Sequence, residues 1–241
     1  MTTDRDTTPA KVALVTGGSR GLGRALTIEL LHTGWRVVTD GRDRDALRRL
    51  GDEAPHPDAL VTVGGDVADA DHRAALTDAV DTLGGLDLLM NNASLLGPSP
   101  QPALADYDLD ILAEVYAVNL LAPLALTQLA LPHLIRRTGR IINISSDAAI
   151  EPYEGWGGYG SSKAALDQLT NVLAAEHPGL RIYALDPDDM RTDMHAQAFP
   201  GEDISDRPEP ETVLPALARL IEGDLPSSRY RAAALLPQAT A

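Results

Sequence analysis

The stretch Val12-Ala-Leu-Val-Thr-Gly-Gly-Ser-Arg-Gly-Leu-Gly23 decides the fold. Its apolar run at 12–16 reads as a buried strand, and the amphipathic segment at 22–33 reads as a helix. The glycines therefore sit at a strand–turn–helix junction. Gly17, Gly21 and Gly23 permit a tight turn and close approach of backbone to a ligand. The helix that follows turns free N–H groups and its positive dipole end toward any pyrophosphate held there. Ser19, Arg20 and Leu22 complete the loop and count with the glycines as candidate cofactor contacts. The spacing is G-x-x-x-G-x-G rather than the commoner G-x-G-x-x-G. A purely structural turn is the alternative, and the position between first strand and first helix favours a dinucleotide.

Working outward, strand-like runs recur at 36–39, 60–63, 86–90, 140–144, 181–185 and 231–235. Helical patterns fall between them, near 43–50, 69–82, 106–134, 158–176 and 211–222. Strict alternation of this kind predicts an α/β, Rossmann-like, doubly wound parallel sheet of about seven strands with helices on both faces. The 241 residues suit one domain. We expect a disordered polar leader over 1–10 and a single dinucleotide-binding catalytic domain over 11–241. The polar stretch 195–210, with its three prolines, is expected to form a mobile flap.

Composition narrows the function. A hydrophobic fraction of 44% and a charged fraction of 23% are those of an ordinary globular protein. With no cysteine there is no disulfide frame, thiolate metal site or cysteine nucleophile. The formal charge of −15 disfavours nucleic acid, which would meet repulsion. The first residues lack the apolar run of a signal peptide, and no run of about 18 apolar residues is evident, so no membrane span and a cytoplasmic location are expected. The acids Asp186, Asp188, Asp189 and Asp193 beside His195 read as turn chemistry rather than a metal site.

Tyr159-Gly-Ser-Ser-Lys163 opens a helix, and positions i and i+4 share a face. An ammonium beside a phenol favours the phenolate, lowering a pKa that is otherwise about 10. Tyr159 is thus a candidate proton donor or acceptor for a carbonyl or hydroxyl oxygen. The strand Arg140-Ile-Ile-Asn-Ile-Ser-Ser146 delivers the Ser146 hydroxyl at its carboxyl end, where ligands collect in such sheets. Alternation turns Ser145 the other way. After the third strand, Asp66 and Val67 offer a carboxylate and an N–H to an adenine edge, or Asp66 caps the next helix.

Taken together, these pieces resemble the short-chain dehydrogenase/reductase family. The stretch 16–23, Asp66, Asn91-Asn92-Ala93, Asn119, Ser146, Tyr159 and Lys163 match its order and spacing from about residue 11 to 194. The resemblance implies a catalytic tetrad of Asn119, Ser146, Tyr159 and Lys163, with hydride passing between the nicotinamide C4 and a substrate carbon. It also implies cofactor contacts from Asn92, Pro187 and Thr192, and a homo-oligomer, dimer or tetramer. The expected reaction interconverts a ketone and a secondary alcohol on a small molecule. Alternatives on the same fold are a redox-neutral step (epimerisation, elimination or cyclisation) and a cofactor-binding regulator without turnover.

The cofactor expected is NADP(H). The position that holds a ribose-binding acid in NAD-linked family members falls on Gly41, and alternation turns Asp40 away. Arg42 and Arg20 remain to bracket a 2′-phosphate, unless both are solvated surface charge. Pro123 deprives the Asn119 carbonyl of its helical donor, which suits either a water relay to Lys163 or a plain packing kink. Two positions depart from the family. Ser94 stands where glycine is usual, and Asp188 follows Pro187 where glycine is usual. Aspartate tolerates the left-handed region that this turn needs, though its charge is expected to weaken cofactor binding. Tyr153 and Trp156 are candidates for an apolar wall, and the acidic 195–210 stretch favours a neutral or cationic substrate.

Overall fold

Runs of apolar residues with no polar face belong in a parallel sheet covered on both sides. A computed structural model describes residues 10–236. In it β1 (Val12–Val15) and β4 (Leu88–Asn91) are buried along their whole length. Around them lie β2 (Arg36–Gly41), β3 (Leu60–Gly64), β5 (Arg140–Ile144), β6 (Arg181–Asp186) and β7 (Arg229–Arg231). The seven strands run in the order β3-β2-β1-β4-β5-β6-β7, and every pairing is parallel. The order reverses between β1 and β4, so a crevice opens at their carboxyl ends.

Alternation along the strands divides the core. Ala13, Val15, Met90, Ile142 and Leu185 pack on one face with Leu22 and Leu26 of α1 (Gly21–His32) and Leu217 and Leu220 of α8 (Leu214–Glu222). On the other face, Val12, Leu14, Leu89 and Ile141 meet Leu76 of α3 (Ala70–Thr82), Leu126 of α5 (Ala122–Arg137) and Leu173 of α6 (Gly157–Glu176). The remaining helices are α2 (Arg44–Glu53), α4 (Leu109–Tyr116), α7 (Asp193–Ala198) and α9 (Ala232–Leu235). Aspartates begin several of them, as orphan N–H groups require: Asp43 accepts from Asp45 and Ala46, and Asp69 from Asp71.

Three expectations change. The seventh strand lies at Arg229–Arg231, and the 231–235 run is instead mostly helix α9, consistent with the helix preference of its three alanines. The 106–134 helix is α4, a π-helical turn at Ala117–Leu121, and α5. As one continuous helix, Leu109–Arg137 is long and apolar enough to cross a membrane by length and composition, which the run-length criterion missed. Here its Leu126, Ala130 and Leu134 are buried in the core against the sheet. The 195–210 stretch begins inside α7, and its Pro208 accepts a hydrogen bond from the Arg191 N–H at 2.7 Å. The expected leader, but for Ala10, lies outside the described residues.

Candidate active site

A cleft of about 830 Å³ opens over the carboxyl ends of β1, β4, β5 and β6. Of the sequence-predicted residues, Gly17, Ser19, Arg20, Gly21, Leu22, Arg42, Asp66, Val67, Asn92, Ser146, Tyr159, Lys163, Pro187 and Thr192 line it. Gly23 and Asn119 lie behind the wall. Gly23 serves close packing, since a Cβ there would meet the Gly17 carbonyl and the Asn92 amide at 2.5 Å. Gly21 sits at φ +53°, where a Cβ would project toward Thr192 with only its methyl within 4 Å, at 3.6 Å. That bare backbone at the start of α1, on the wall of the cleft, fits the diphosphate of a dinucleotide.

The loop is braced from beneath. The Gly17 N–H donates to Asp40 Oδ1 at 2.6 Å, and Asp40 Oδ2 pairs with His72 Nε2 at 2.9 Å, both side chains buried. Asp40 is therefore committed to the loop and turned from the ribose, as alternation predicts. The signal for His72, one residue in the first turn of a helix, is too local to reveal this partner. Asp40→Ala leaves a buried N–H and imidazole unpaired, so we expect a loss on the order of 3 kcal/mol in urea unfolding. Unchanged stability would contradict the brace.

Arg42 and Arg20 stand at the β2 end of the cleft, exposed, Arg42 with Asp66 at 3.9 Å and Arg20 with Asp193 at 3.4 Å. Asp66 accepts from the Ala68 N–H at 2.9 Å and closes the turn before α3, while Asp69 is the cap. The Asn92 amide donates to the Thr16 carbonyl at 2.8 Å, fixing the ends of β1 and β4 together. The Thr192 hydroxyl accepts from the His195 N–H at 3.2 Å and so caps α7.

At the other end, Tyr159 and Lys163 lie on the inner face of α6, both buried. The Lys163 ammonium donates to the Ile144 carbonyl at 2.7 Å and lies 5.5 Å from the Tyr159 ring centroid. Burial pulls Lys163 down to about 8, against the opposing charge of Asp167. Tyr159 is pushed up to about 12, chiefly by burial, with Asp147 and Asp186 adding to it and the Ser94 and Ser146 hydroxyls opposing it. This corrects the expectation of a lowered phenol: desolvation outweighs the lysine, whose ammonium is directed to a backbone carbonyl. Ser146 Oγ donates to Asp147 Oδ1 at 3.0 Å, and Asp147 Oδ2 accepts from the Tyr153 hydroxyl at 2.9 Å.

The Asn119 side chain is buried and fully bonded. The helix widens into the π turn around it, and the buried amide accepts from the Leu95 N–H at 2.8 Å and the Ser94 hydroxyl at 3.1 Å. It donates to the Leu95 carbonyl at 2.9 Å and to Ser162 Oγ at 3.0 Å. It thereby clamps the loop after β4 onto α6, and Ser94 earns its place as a hydroxyl between Asn119 and Tyr159. Asp188 adopts φ 62°, the left-handed turn that glycine usually fills. Its carboxylate takes the Arg231 guanidinium and the Ala233 N–H, so the charge expected to weaken cofactor binding is already engaged.

Trp156 stacks edge-on over Tyr159 at 5.9 Å and against Phe199 at 5.7 Å, while Tyr153 lies 6.4 Å beyond it. In a chain with one phenylalanine and two tryptophans, this is a concentrated aromatic wall. Phe199 was not legible as part of it from the sequence.

A family model described as short chain dehydrogenase matches residues 11–203. Sepiapterin reductase of Mus musculus is 37% identical over 201 residues, covering 78% of this chain and 77% of the mouse protein. L-xylo-3-hexulose reductase of Hypocrea jecorina is 36% identical over 215 residues, covering 79% and 70% of the two chains. A solved short-chain dehydrogenase from Pseudomonas syringae superposes with a TM-score of 0.86 at 29% identity, covering 92% of this chain and 94% of that one. One from Shigella flexneri, complexed with NADP, gives 0.84 at 26% identity, covering 92% and 97%. The glycine loop, the first six strands and the serine–tyrosine–lysine cluster all fall within the matched residues: the chain belongs to the short-chain dehydrogenase family, an oxidoreductase on a Rossmann-like sheet.

Proposed function

We propose that the protein is an NADP(H)-dependent oxidoreductase interconverting a ketone and a secondary alcohol on a small, neutral or cationic molecule. The observation that carries this reading is the buried Tyr159 phenol, held protonated beside Ser146 on the wall of the cleft. A bound nicotinamide dinucleotide supplies or accepts the hydride. Tyr159 gives its proton to the carbonyl oxygen in reduction and takes it back in oxidation. Ser146 turns its one hydroxyl proton from Asp147 to that oxygen when the substrate binds. Lys163, near 8, restores the proton from one turn along α6. The aromatic wall of Trp156 and Phe199 suits an apolar body, and Asp147, Glu154 and Asp189 at the rim disfavour an anionic one.

The preference for the 2′-phosphate rests on Asp40 being committed elsewhere and on Arg20 and Arg42 lining the adenosine end. Structural relatives from Shigella flexneri and Escherichia coli are complexed with NADP and NADPH. Replacing one charge-assisted contact costs about 1.5–3 kcal/mol, so Arg42→Ala is expected to raise KM for NADPH by about tenfold or more and leave NADH unaffected. Equal effects on both cofactors would refute the assignment. We further propose a homo-oligomer: Leu121, Leu129 and Ile135 of the α4–α5 helix and Val172 of α6 are exposed apolar side chains that a second copy would cover.

A further inference from the structure

One basic side chain outside the predicted tetrad ties the ends of β5 and β6 to α6. Arg229 opens β7 at the sheet edge, and its guanidinium turns back beneath the catalytic helix. Nε donates to Asp167 Oδ2 at 2.9 Å, and Nη2 donates to the Ser146 carbonyl at 2.9 Å and to Asp186 Oδ2 at 3.1 Å. Asp186, at the end of β6, is almost wholly buried, and Asp167 is largely so. Asp167 follows Lys163 by one helical turn, on the same face of α6. Its Oδ1 is buried with no hydrogen-bond partner among the described residues.

Two carboxylates thus lie under the reacting groups in a poorly solvated region, where an unpaired charge acts strongly. We propose that Arg229 is a positioning residue of the reaction: its guanidinium fixes Ser146 through the backbone and offsets part of the charge of Asp167 and Asp186, so that the pull of both acids on the protons of Tyr159 and Lys163 is held in check. This rests on the oxidoreductase reading for its consequence in turnover, though not for its electrostatics. The other charged groups facing the pair are Asp147 from the turn after β5 and Asp188 with Arg231 from the ends of β6 and β7. Asp189, Asp193 and His195 line the cleft. None of these forms an ion pair with Asp167, whose one such partner among the described residues is Arg229.

The sequence makes the test clean, because Lys11 is the only other lysine. Protein labelled with ¹³C at lysine Cε shows two side-chain signals, and Lys163→Met assigns them. The Lys163 titration is then followed by NMR without cofactor or substrate. Wild-type protein should titrate near 8. In Arg229→Gln the freed carboxylates should raise that value by about one unit. Asp167→Asn, which keeps Arg229 and removes an acid, should lower it, and serves if Arg229→Gln does not fold. With a substrate ketone, Arg229→Gln should lose kcat while KM for NADPH holds within about twofold. A Lys163 titration unmoved in a folded Arg229→Gln, or unmoved in Asp167→Asn, overturns the proposal whatever the activity. Failure of the wild type to reduce any ketone would count against the oxidoreductase reading instead, and leaves the titration result to stand by itself.

Discussion

Tyr159→Phe is expected to lower turnover by roughly 10²–10⁴-fold, the range that general acid–base catalysis contributes. The phenol is a buried proton donor on the wall of the cleft, and its neighbours are already engaged. Ser146 is bonded to Asp147, and the Lys163 ammonium points to the Ile144 carbonyl. The variant keeps the ring that packs with Leu96, Ala148 and Trp156, so folding and cofactor affinity should be preserved. Single-turnover rates with NADPH, beside a thermal melt, separate the two effects. A folded variant retaining more than about a tenth of the wild-type rate would remove Tyr159 from its role.

Lys163→Met is the second large effect, and its sign on stability differs from its sign on activity. Burial holds the ammonium near 8, below its ordinary value of 10.5. A lysine with a depressed folded pKa binds fewer protons folded than unfolded between those values, so the protein gains stability as pH rises through that window. Below it, the buried charge is a cost that methionine does not carry. We therefore expect Lys163→Met to lose most turnover while its Tm at pH 7 holds or rises. The wild-type gain in stability from pH 8 to pH 10 should vanish in the variant. A large drop in Tm with turnover retained would show that the lysine is a structural strut.

Much of this was legible in the sequence, because the relevant forces are local. Apolar runs at 12–16, 140–144 and 181–185 have no polar face and must be buried, and the glycine loop and Tyr159–Lys163 pair declare themselves by spacing within a single turn. What escaped depends on contacts across the fold. Nothing near Arg229 announces Asp167 or Asp186, and the triplet 229–231 is too short to stand out beside three alanines. The sequence places Asn119 beside Pro123, but its amide meets Ser94, Leu95 and Ser162 from separate elements. The direction of the Tyr159 shift turned on how deeply the phenol is packed, which its distance from Lys163 along the helix does not encode. Asp188 was recognised as tolerating a left-handed turn, whereas its capture by Arg231 needed the C-terminal helix in place.

The central proposal is that hydride moves to a carbonyl carbon from NADPH. It is tested most directly by product analysis with NADPH deuterated at C4, using the 4R- and 4S-labelled forms separately and a panel of neutral and amine-bearing ketones. We expect one of the two labelled forms to give an alcohol one mass unit heavier at the carbinol carbon, with NADPH consumed in equal amount. Product formed without net use of NADPH, or an alcohol that carries no label from either form, would contradict it.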